Sequence, residues 1–315
     1  MSLQFIFGNS GSGKSHYLYQ QIVEESIRHP EKNYLVLVPE QFTMQTQKDL
    51  CMAHPRGGIM NIDVLSFGRL AHRVFEETGK ERQPILDDEG KNLVLRKIAG
   101  NYEEELTVLK GNLKKQGYIS EVKSVISEFT QYGIDFEQLD SFMEGLNPES
   151  YLYYKLKDIR KVYEGFEDYL RDKYITKEEL LDVLSQTVPE AKMLKDSVIA
   201  MDGFTGFTPV QNRLILELMR CCKEVWVTVT MDERENPYAY KHPYQLFGLS
   251  KQMVTTLVRM AGEDHIEVEE PVCLYGYPVK RFEKNQELAF LERNIFRYGA
   301  GRYDKAVENL EIHAA

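Results

Sequence analysis

Long apolar runs are missing from this sequence of 315 residues. No stretch of eighteen consecutive apolar residues occurs, which excludes a transmembrane helix and gives no reason to expect a membrane partner. The N-terminus enters a strand-like segment directly and lacks a basic region followed by an apolar stretch, so a secretory leader is not expected. We therefore predict a cytoplasmic protein.

Cysteine is scarce, and its spacing gives no sign of metal binding. The chain has four cysteines, Cys51, Cys221, Cys222 and Cys273, without a C-x-x-C pair among them. This spacing does not supply a zinc or iron–sulfur framework. In a cytoplasmic protein we expect reduced thiols, most of them buried.

An excess of basic residues is also missing. The 39 Lys and Arg residues are outnumbered by 49 Asp and Glu residues, which gives a formal net charge of −10 and a pI near 5.4. This balance is evidence against a protein that coats DNA by global charge attraction. It leaves open a channel lined locally with Arg and Lys, or a partner that supplies most of the positive surface.

A phosphate-binding pattern stands near the start of the chain. The pattern G-x-x-x-x-G-K-[ST] is filled by Gly8, Asn9, Ser10, Gly11, Ser12, Gly13, Lys14 and Ser15. It lies between an apolar strand at 3–7 and a helix at about 15–27, so amides at the helix start face an anion. Lys14 is expected to reach the β- and γ-phosphates of ATP, and the Ser15 hydroxyl to complete the shell of Mg²⁺. The alternative is an ordinary Gly/Ser turn that matches by chance.

Strands and helices alternate through the first eighty residues. Continuous β-rich runs at 33–38 and 59–64 are each followed by a helical pattern, at 41–51 and 66–75. With right-handed crossovers this order makes a parallel sheet whose ligand lies outside the carboxyl ends of the strands. The predicted fold class is α/β, a P-loop NTPase of the RecA-like type.

A helical segment interrupts this alternation, because there is almost no β signal between about residues 84 and 195. Helices are predicted at 87–99, 118–132, 148–174 and 176–184. We interpret the segment as an all-helical insertion. It contains the tyrosines Tyr151, Tyr153, Tyr154, Tyr163 and Tyr169. They are interpreted either as packing residues or as a base-stacking surface.

The strand signal returns at 196–202 and ends in a carboxylate. P-loop proteins hold Mg²⁺ through an aspartate at such a strand end, so Asp202 is the candidate metal residue together with Ser15. A surface turn is the alternative, because Asp-Gly is a common turn pair. A helix at 209–221 and a strand at 224–229 follow, which favours the metal role.

These segments divide the chain into three parts. Residues 1–84 and 195–285 form the predicted P-loop domain, and residues 85–194 form the helical insertion. Residues 286–315 are predicted to be a connector and the start of a truncated next domain, since 310–315 alternates like a strand without a following helix.

Three segments in this order resemble a helicase family. The segment 64–73, V-L-S-F-G-R-L-A-H-R, is similar to the single-strand contact motif V-x-T-F-x-x-L-A-x-R of superfamily 1 helicases. The segment 201–204, with Gln211, is similar to their D-E-F-Q-D-T-x-x-x-Q segment. With the start M-S-L-Q-F-I-F-G, the run G-S-G-K-S and the run L-V-P-E-Q-F-T, the chain most resembles the B subunits of AddAB-type (RexAB-type) ATP-dependent helicase/nucleases.

The resemblance implies that the P-loop domain is helicase domain 1A and that the insertion is domain 1B. It implies a DNA end-processing helicase/nuclease in double-strand-break repair by homologous recombination. The implied partners are DNA, single-stranded or as duplex ends, and an A-type motor/nuclease subunit. A nuclease domain with an iron–sulfur cluster is expected only in the parent protein, outside this chain.

The resemblance also places single-stranded DNA near Gln41, Ser66 and Phe67. A hydroxyl can bond a phosphate, and an aromatic ring can stack on a base. For Phe67, core packing is the alternative to base stacking.

One departure from the helicase pattern bears on turnover. Gly203 stands where the motor family has the glutamate that activates the attacking water, so no catalytic residue is assigned and weak or absent hydrolysis is predicted. Two other functions fit the motifs. One is a P-loop phosphotransferase acting on a small molecule, with the insertion as its lid. The other is a non-hydrolysing scaffold with a vestigial nucleotide pocket.

Overall fold

The chain folds into two compact units. The computed structural model describes residues 1–79, 84–113, 115–171, 173–297, 299, 301–308, 310–311 and 313. Unit 1 comprises Met1–Leu70, Ala191–Phe207 and Leu216–Ala315. Unit 2 comprises Ala71–Glu190 and Thr208–Ile215.

Nine strands and eleven α-helices are found among the described residues. The strands are β1 (Ser2–Gly8), β2 (Tyr34–Leu37), β3 (Ile62–Leu65), β4 (Ile85–Leu86), β5 (Ile175–Thr176), β6 (Val198–Met201), β7 (Glu224–Thr230), β8 (Glu267–Val268) and β9 (Val272–Cys273). The helices are α1 (Lys14–Arg28), α2 (Thr43–Ala53), α3 (Phe67–Thr78), α4 (Asp88–Asn101), α5 (Gln116–Tyr132), α6 (Phe136–Glu144), α7 (Tyr151–Leu170), α8 (Lys177–Thr187), α9 (Pro209–Cys221), α10 (Gly248–Glu263) and α11 (Gln286–Asn294).

Unit 1 is built on a parallel sheet with the strand order β3-β2-β6-β7-β1-β8, and β9 also pairs with β1. β2 is buried along its whole length and β1 along most of it, as expected for strands covered on both faces. β7 lies between β6 and β1, so that Met201 pairs with Val227 and Gly8 with Thr230. The carboxyl ends of these three strands therefore meet at one edge. This mostly parallel sheet confirms the predicted α/β fold class.

Helix α1 is held against the sheet by one apolar face. Leu18 and Ile22, which are one turn apart, are fully buried and belong to the same core cluster as Ile6 and Val36. Since α1 begins at Lys14, this packing fixes the direction in which the preceding loop meets the sheet.

Unit 2 is mainly helical, with its core between α4, α5 and α7. The helices α4 and α7 approach closely at Gly165, where a Cβ atom would lie 2.7 Å from the Tyr102 ring. The N-terminus of α8 is a capping box, in which Thr176 and Glu179 each bond the other's backbone amide. The tyrosines differ in exposure: Tyr163 is buried against Phe136, whereas Tyr151 is 70% exposed.

Some elements differ from the sequence-based prediction. α10 is absent from the sequence-based prediction, although Met253, Leu257 and Ala261 recur at helical spacing on its buried face. The same helix buries Lys251, which pairs with Glu235 at 2.6 Å. α6 has nine residues, which is short for a periodic signal. The pairing of β4 with β5 adds a two-stranded parallel sheet to a segment predicted to be purely helical.

The expectation that most cysteines are buried is wrong. Cys222 is buried, Cys51 and Cys221 are partly exposed, and Cys273 is exposed on the short strand β9. All four are free thiols.

Two other expectations concern membranes and the last residues. Among the described residues, no helix is long and apolar enough to cross a membrane. Of the segment 310–315, predicted to be a strand, residues 310, 311 and 313 are described and none of them lies in a strand, whereas the other three fall outside the described residues.

Candidate functional site

The loop between β1 and α1 turns tightly at two glycines. Gly11 and Gly13 have φ angles of +81° and +97°, in the left-handed region that glycine adopts without strain. The Ser12 amide donates to the Asn9 carbonyl oxygen at 3.1 Å, which tightens the turn before α1 begins. First-turn amides have no partner within a helix, so they are available to an anion.

Lys14 lies folded over this loop. Its ammonium group donates to the carbonyl oxygens of Gly8 and Asn9, both at 2.9 Å. Burial lowers the pKa of Lys14 to about 8, while the charge of Asp202 opposes this decrease and that of Arg281 adds to it. At pH 7 the side chain therefore presents a positive charge that is partly removed from water.

Asp202 follows β6 and is almost fully buried, with 6% of its surface exposed. Its carboxylate accepts hydrogen bonds from Ser15 Oγ at 3.1 Å, from Thr228 Oγ1 at 2.6 Å and from Tyr19 Oη at 2.8 Å. Burial and the adjacent Asp202 charge raise the pKa of the Tyr19 phenol, which keeps it a neutral donor. Asp202 is thus the acceptor at the centre of three hydroxyl groups.

The hydroxyl of Ser15 and the carboxylate of Asp202 fit a magnesium ion. Both groups supply the hard oxygen atoms that Mg²⁺ takes, and both lie beside the loop that would hold the phosphates. Mg²⁺ keeps several waters and takes only one or two protein ligands at such sites. Accordingly, the described residues contain no cluster of three or more His, Cys, Asp or Glu that could hold a metal by themselves.

A cavity of about 600 Å³ opens over the loop. It is lined by Ser10, Gly11, Gly13, Lys14, Ser15, His16, Asp202, Gly203, Phe204, Thr205, Thr228, Thr230, Lys280 and Arg281. The lining includes the three residues that the sequence predicts to act together, Lys14, Ser15 and Asp202. All of the lining residues belong to unit 1.

Sequence reasoning misses two of the cations in this cavity. The Arg281 amide donates to the Gly11 carbonyl oxygen at 3.1 Å, and a Cβ atom on Gly11 would lie 2.7 Å from Arg281 Cβ. Lys280 packs against Gly13 in the same way, with its Cδ 3.1 Å from where a Cβ atom would be. No sequence motif marks Lys280 and Arg281, because they lie far from the loop in sequence and contact it only in the folded chain.

Sequence reasoning also misses two of the three hydroxyl donors of Asp202, Tyr19 and Thr228. A signal exists for Tyr19, which follows Ser15 by four residues and therefore lies on the same face of α1. Thr228 has no such signal in the sequence. It reaches Asp202 because β7 lies between β6 and β1 in the sheet.

Comparison with known proteins identifies the family. The model of the family described as "ADDB, N-terminal" matches residues 5–292. The chain belongs to the ADDB N-terminal family. The sequence-based resemblance to AddB subunits is thereby confirmed.

Relatives of this ADDB chain are similar along its whole length. A protein of Lachnoclostridium phytofermentans is 44% identical over 322 residues, one of Caldanaerobacter subterraneus is 34% identical over 318, and one of Thermoanaerobacter sp. is 33% identical over 315. Each is named as the B subunit of an ATP-dependent helicase/deoxyribonuclease. All of the chain is matched, but it spans only 28%, 27% and 27% of their respective lengths.

In this ADDB chain, Gly203 has a left-handed backbone. Its φ angle is +78°, and a Cβ atom there would lie 3.7 Å from Pro39 Cδ and 3.8 Å from Phe42 Cδ2. Gly203 lines the cavity next to Asp202 without offering a side chain. This position supplies no carboxylate to a water molecule.

The three predicted DNA contacts differ in exposure. Gln41 is exposed, whereas Ser66 is 7% exposed and accepts a hydrogen bond from the Arg69 amide at 3.4 Å. Phe67 is 8% exposed, and its ring centroid lies 5.5 Å from that of Phe204. Phe67 therefore packs inside unit 1 here, as the core-packing alternative describes, and its role toward DNA stays a prediction.

Proposed function

We propose that unit 1 binds Mg²⁺ and ATP in the cavity over the β1–α1 loop. The residues proposed to hold the phosphates are Gly8, Asn9, Ser10, Gly11, Ser12, Gly13 and Lys14. Ser15 and Asp202 are proposed to hold Mg²⁺, which would offset the charge of the phosphates. The observation that supports this function is that Lys14, Ser15 and Asp202 line one cavity. Lys280 and Arg281 add two cations suited to a polyphosphate.

We further propose that ATP is held with little or no hydrolysis. Activation of water requires a general base within hydrogen-bond reach of it. Gly203 provides none where motor helicases have a glutamate, and Asp202 is engaged by three hydroxyl groups. The site is therefore suited to retention of the nucleotide rather than to turnover.

The proposed context is the B subunit of an ATP-dependent helicase/deoxyribonuclease, as the relatives are named. In this proposal residues 1–84 and 195–285 are helicase domain 1A, and residues 85–194 are domain 1B. The complex, with an A-type motor/nuclease subunit, would process DNA ends in the cytoplasm during double-strand-break repair by homologous recombination. The nuclease activity and the iron–sulfur cluster belong to the parent protein outside this chain.

Single-stranded DNA is proposed to pass near Gln41, Ser66 and Phe67. Gln41 directly follows Glu40, at the carboxyl side of β2, where ligands of parallel sheets lie. Its exposure supports a direct polar contact with the strand.

The experiment that tests nucleotide binding is Lys14→Ala. We expect ATP affinity to fall by at least about tenfold, since the ammonium charge over the loop is lost. Isothermal titration calorimetry with Mg²⁺ and ATP measures this change. Lys48→Ala removes an exposed lysine of α2 and serves as the matched control. Equal isotherms for wild type and Lys14→Ala would contradict the proposed site.

The lowered pKa of Lys14 predicts a pH dependence of ATP binding. In the free protein this ammonium loses its proton as the pH rises through about 8. Bound phosphates favour the protonated form, so ATP affinity should fall between pH 7 and pH 9, and binding at pH 9 should take up a proton. Titrations at pH 9 in two buffers of different ionisation enthalpy report that proton. The same proton uptake in Lys14→Ala would assign it to another group.

A further inference from the structure

A carboxylate from α11 reaches the phosphate-binding loop. The side-chain amide of Asn9 donates to Glu292 Oε1 at 3.3 Å. Both residues lie in unit 1, and Glu292 is partly buried. A negative charge is therefore held against a loop whose proposed ligand is a polyanion.

Glu292 acts on the end of the loop where the terminal phosphate would lie. Lys14, the residue expected to reach the β- and γ-phosphates, bonds the Asn9 carbonyl oxygen, and Glu292 bonds the Asn9 side chain. Burial lowers the pKa of Lys14, and Glu292, like Asp202, opposes that decrease. The Glu292 carboxylate is thus close enough to interact electrostatically with the Lys14 ammonium.

A second cation, Arg234, is close enough for its charge to interact with that of Glu292, although its hydrogen bonds go elsewhere. Its guanidinium donates to Asp232 at 2.8 and 2.5 Å and to the Arg293 carbonyl oxygen at 2.7 Å. The hydrogen bond to Asp232 raises the pKa of Arg234, and the nearby charge of Glu292 contributes to this increase. Glu292 therefore bonds the loop through Asn9, while Asp232 already holds the guanidinium of Arg234.

We propose that Glu292 determines specificity at the nucleotide site by opposing the terminal phosphate of ATP. This inference rests on the proposed function, because Glu292 bonds the loop over which the nucleotide is proposed to lie. ATP has a γ-phosphate that ADP lacks. It therefore carries more negative charge at the end of the nucleotide that would lie near Glu292. The carboxylate weakens ATP binding more than ADP binding.

The test compares ATP with ADP on the full chain of 315 residues. Calorimetric titrations with each nucleotide and Mg²⁺ are made for the wild type and for Glu292→Gln. We expect Glu292→Gln to tighten ATP binding by roughly threefold to tenfold and ADP binding by less than about twofold. The ratio of the two affinities is measured on the same folded protein, so partial misfolding of a variant does not change it.

Two control variants separate charge from shape. Glu283→Gln removes an exposed carboxylate from the segment just before α11 and should leave both affinities unchanged. Glu292→Asp keeps the charge and should keep an affinity ratio close to that of the wild type.

The outcomes distinguish this inference from the function beneath it. A wild type that binds neither nucleotide overturns both. A wild type that binds both nucleotides, with an unchanged affinity ratio in Glu292→Gln, overturns the role of Glu292 alone. A ratio that changes equally in Glu283→Gln also overturns it, because net charge would then be the cause.

Discussion

Asp202→Asn is expected to remove the Mg²⁺ dependence of ATP binding. In the wild type, Mg²⁺ should tighten ATP binding through the oxygens of Ser15 and Asp202. An amide keeps the size of the side chain but has no charge to hold the ion. We expect ATP affinities with and without Mg²⁺ to agree within about twofold in this variant, measured by calorimetry with and without a chelator.

The stability of Asp202 variants should separate the metal role from a structural one. Asp202→Ala leaves the hydroxyls of Tyr19 and Thr228 without their acceptor in a buried place, and should lower the free energy of unfolding by about 3 kcal/mol. Asp202→Asn retains one acceptor oxygen and should lose less. Urea unfolding of both variants measures the difference.

Asp158 in unit 2 provides a matched control for these changes. It is 2% exposed and accepts hydrogen bonds from the amides of Thr107, Val108 and Leu109. Asp158→Asn should destabilise the chain and leave the Mg²⁺ effect on ATP intact. If Asp202→Asn retains the full Mg²⁺ effect, Asp202 does not hold the ion.

Phe67→Ala is expected to lower the free energy of unfolding by about 3 to 5 kcal/mol. Phe67 is 8% exposed and lies within an aromatic cluster, with ring centroids 5.5 Å from Phe204 and 6.4 Å from Phe207. Truncation leaves a cavity and removes the ring contacts. Urea unfolding followed by circular dichroism measures the loss.

Phe42→Ala is the matched control for Phe67→Ala. The Phe42 side chain is 47% exposed and lies in the same unit, so its truncation should change stability by no more than about 0.5 kcal/mol. The base-stacking alternative makes the opposite prediction for Phe67. It requires a stable Phe67→Ala variant that has lost affinity for single-stranded DNA.

The sheet and the tight turn between β1 and α1 were predictable because local patterns encode them. β1 and β2 are short, nearly continuous apolar runs, and the glycines at positive φ occur within the motif itself. Thr176 and Glu179 have the spacing of a capping box and mark the start of α8. In each case the residues that form the structure lie close together in the sequence.

The rest of the candidate site could not be predicted from one sequence, for a physical reason. Arg281 and Glu292 reach the loop from the far end of the chain, and nothing in their local sequence marks a partner. Phe67 fits a DNA-contact pattern and a core pattern equally, since both place an aromatic residue at the start of α3. The burial of the Phe67 side chain agrees with the core pattern.

The left-handed turn at Gly203 limits which side chains this position can carry. A side chain at a φ angle of +78° costs about 1 to 2 kcal/mol, and Pro39 and Phe42 line the space it would enter. Exchanging glycine for glutamate alone would strain the turn and need not aim the carboxylate at a water molecule. Under the proposed function, restoring a water-activating carboxylate would therefore require the backbone around residue 203 to change along with the side chain.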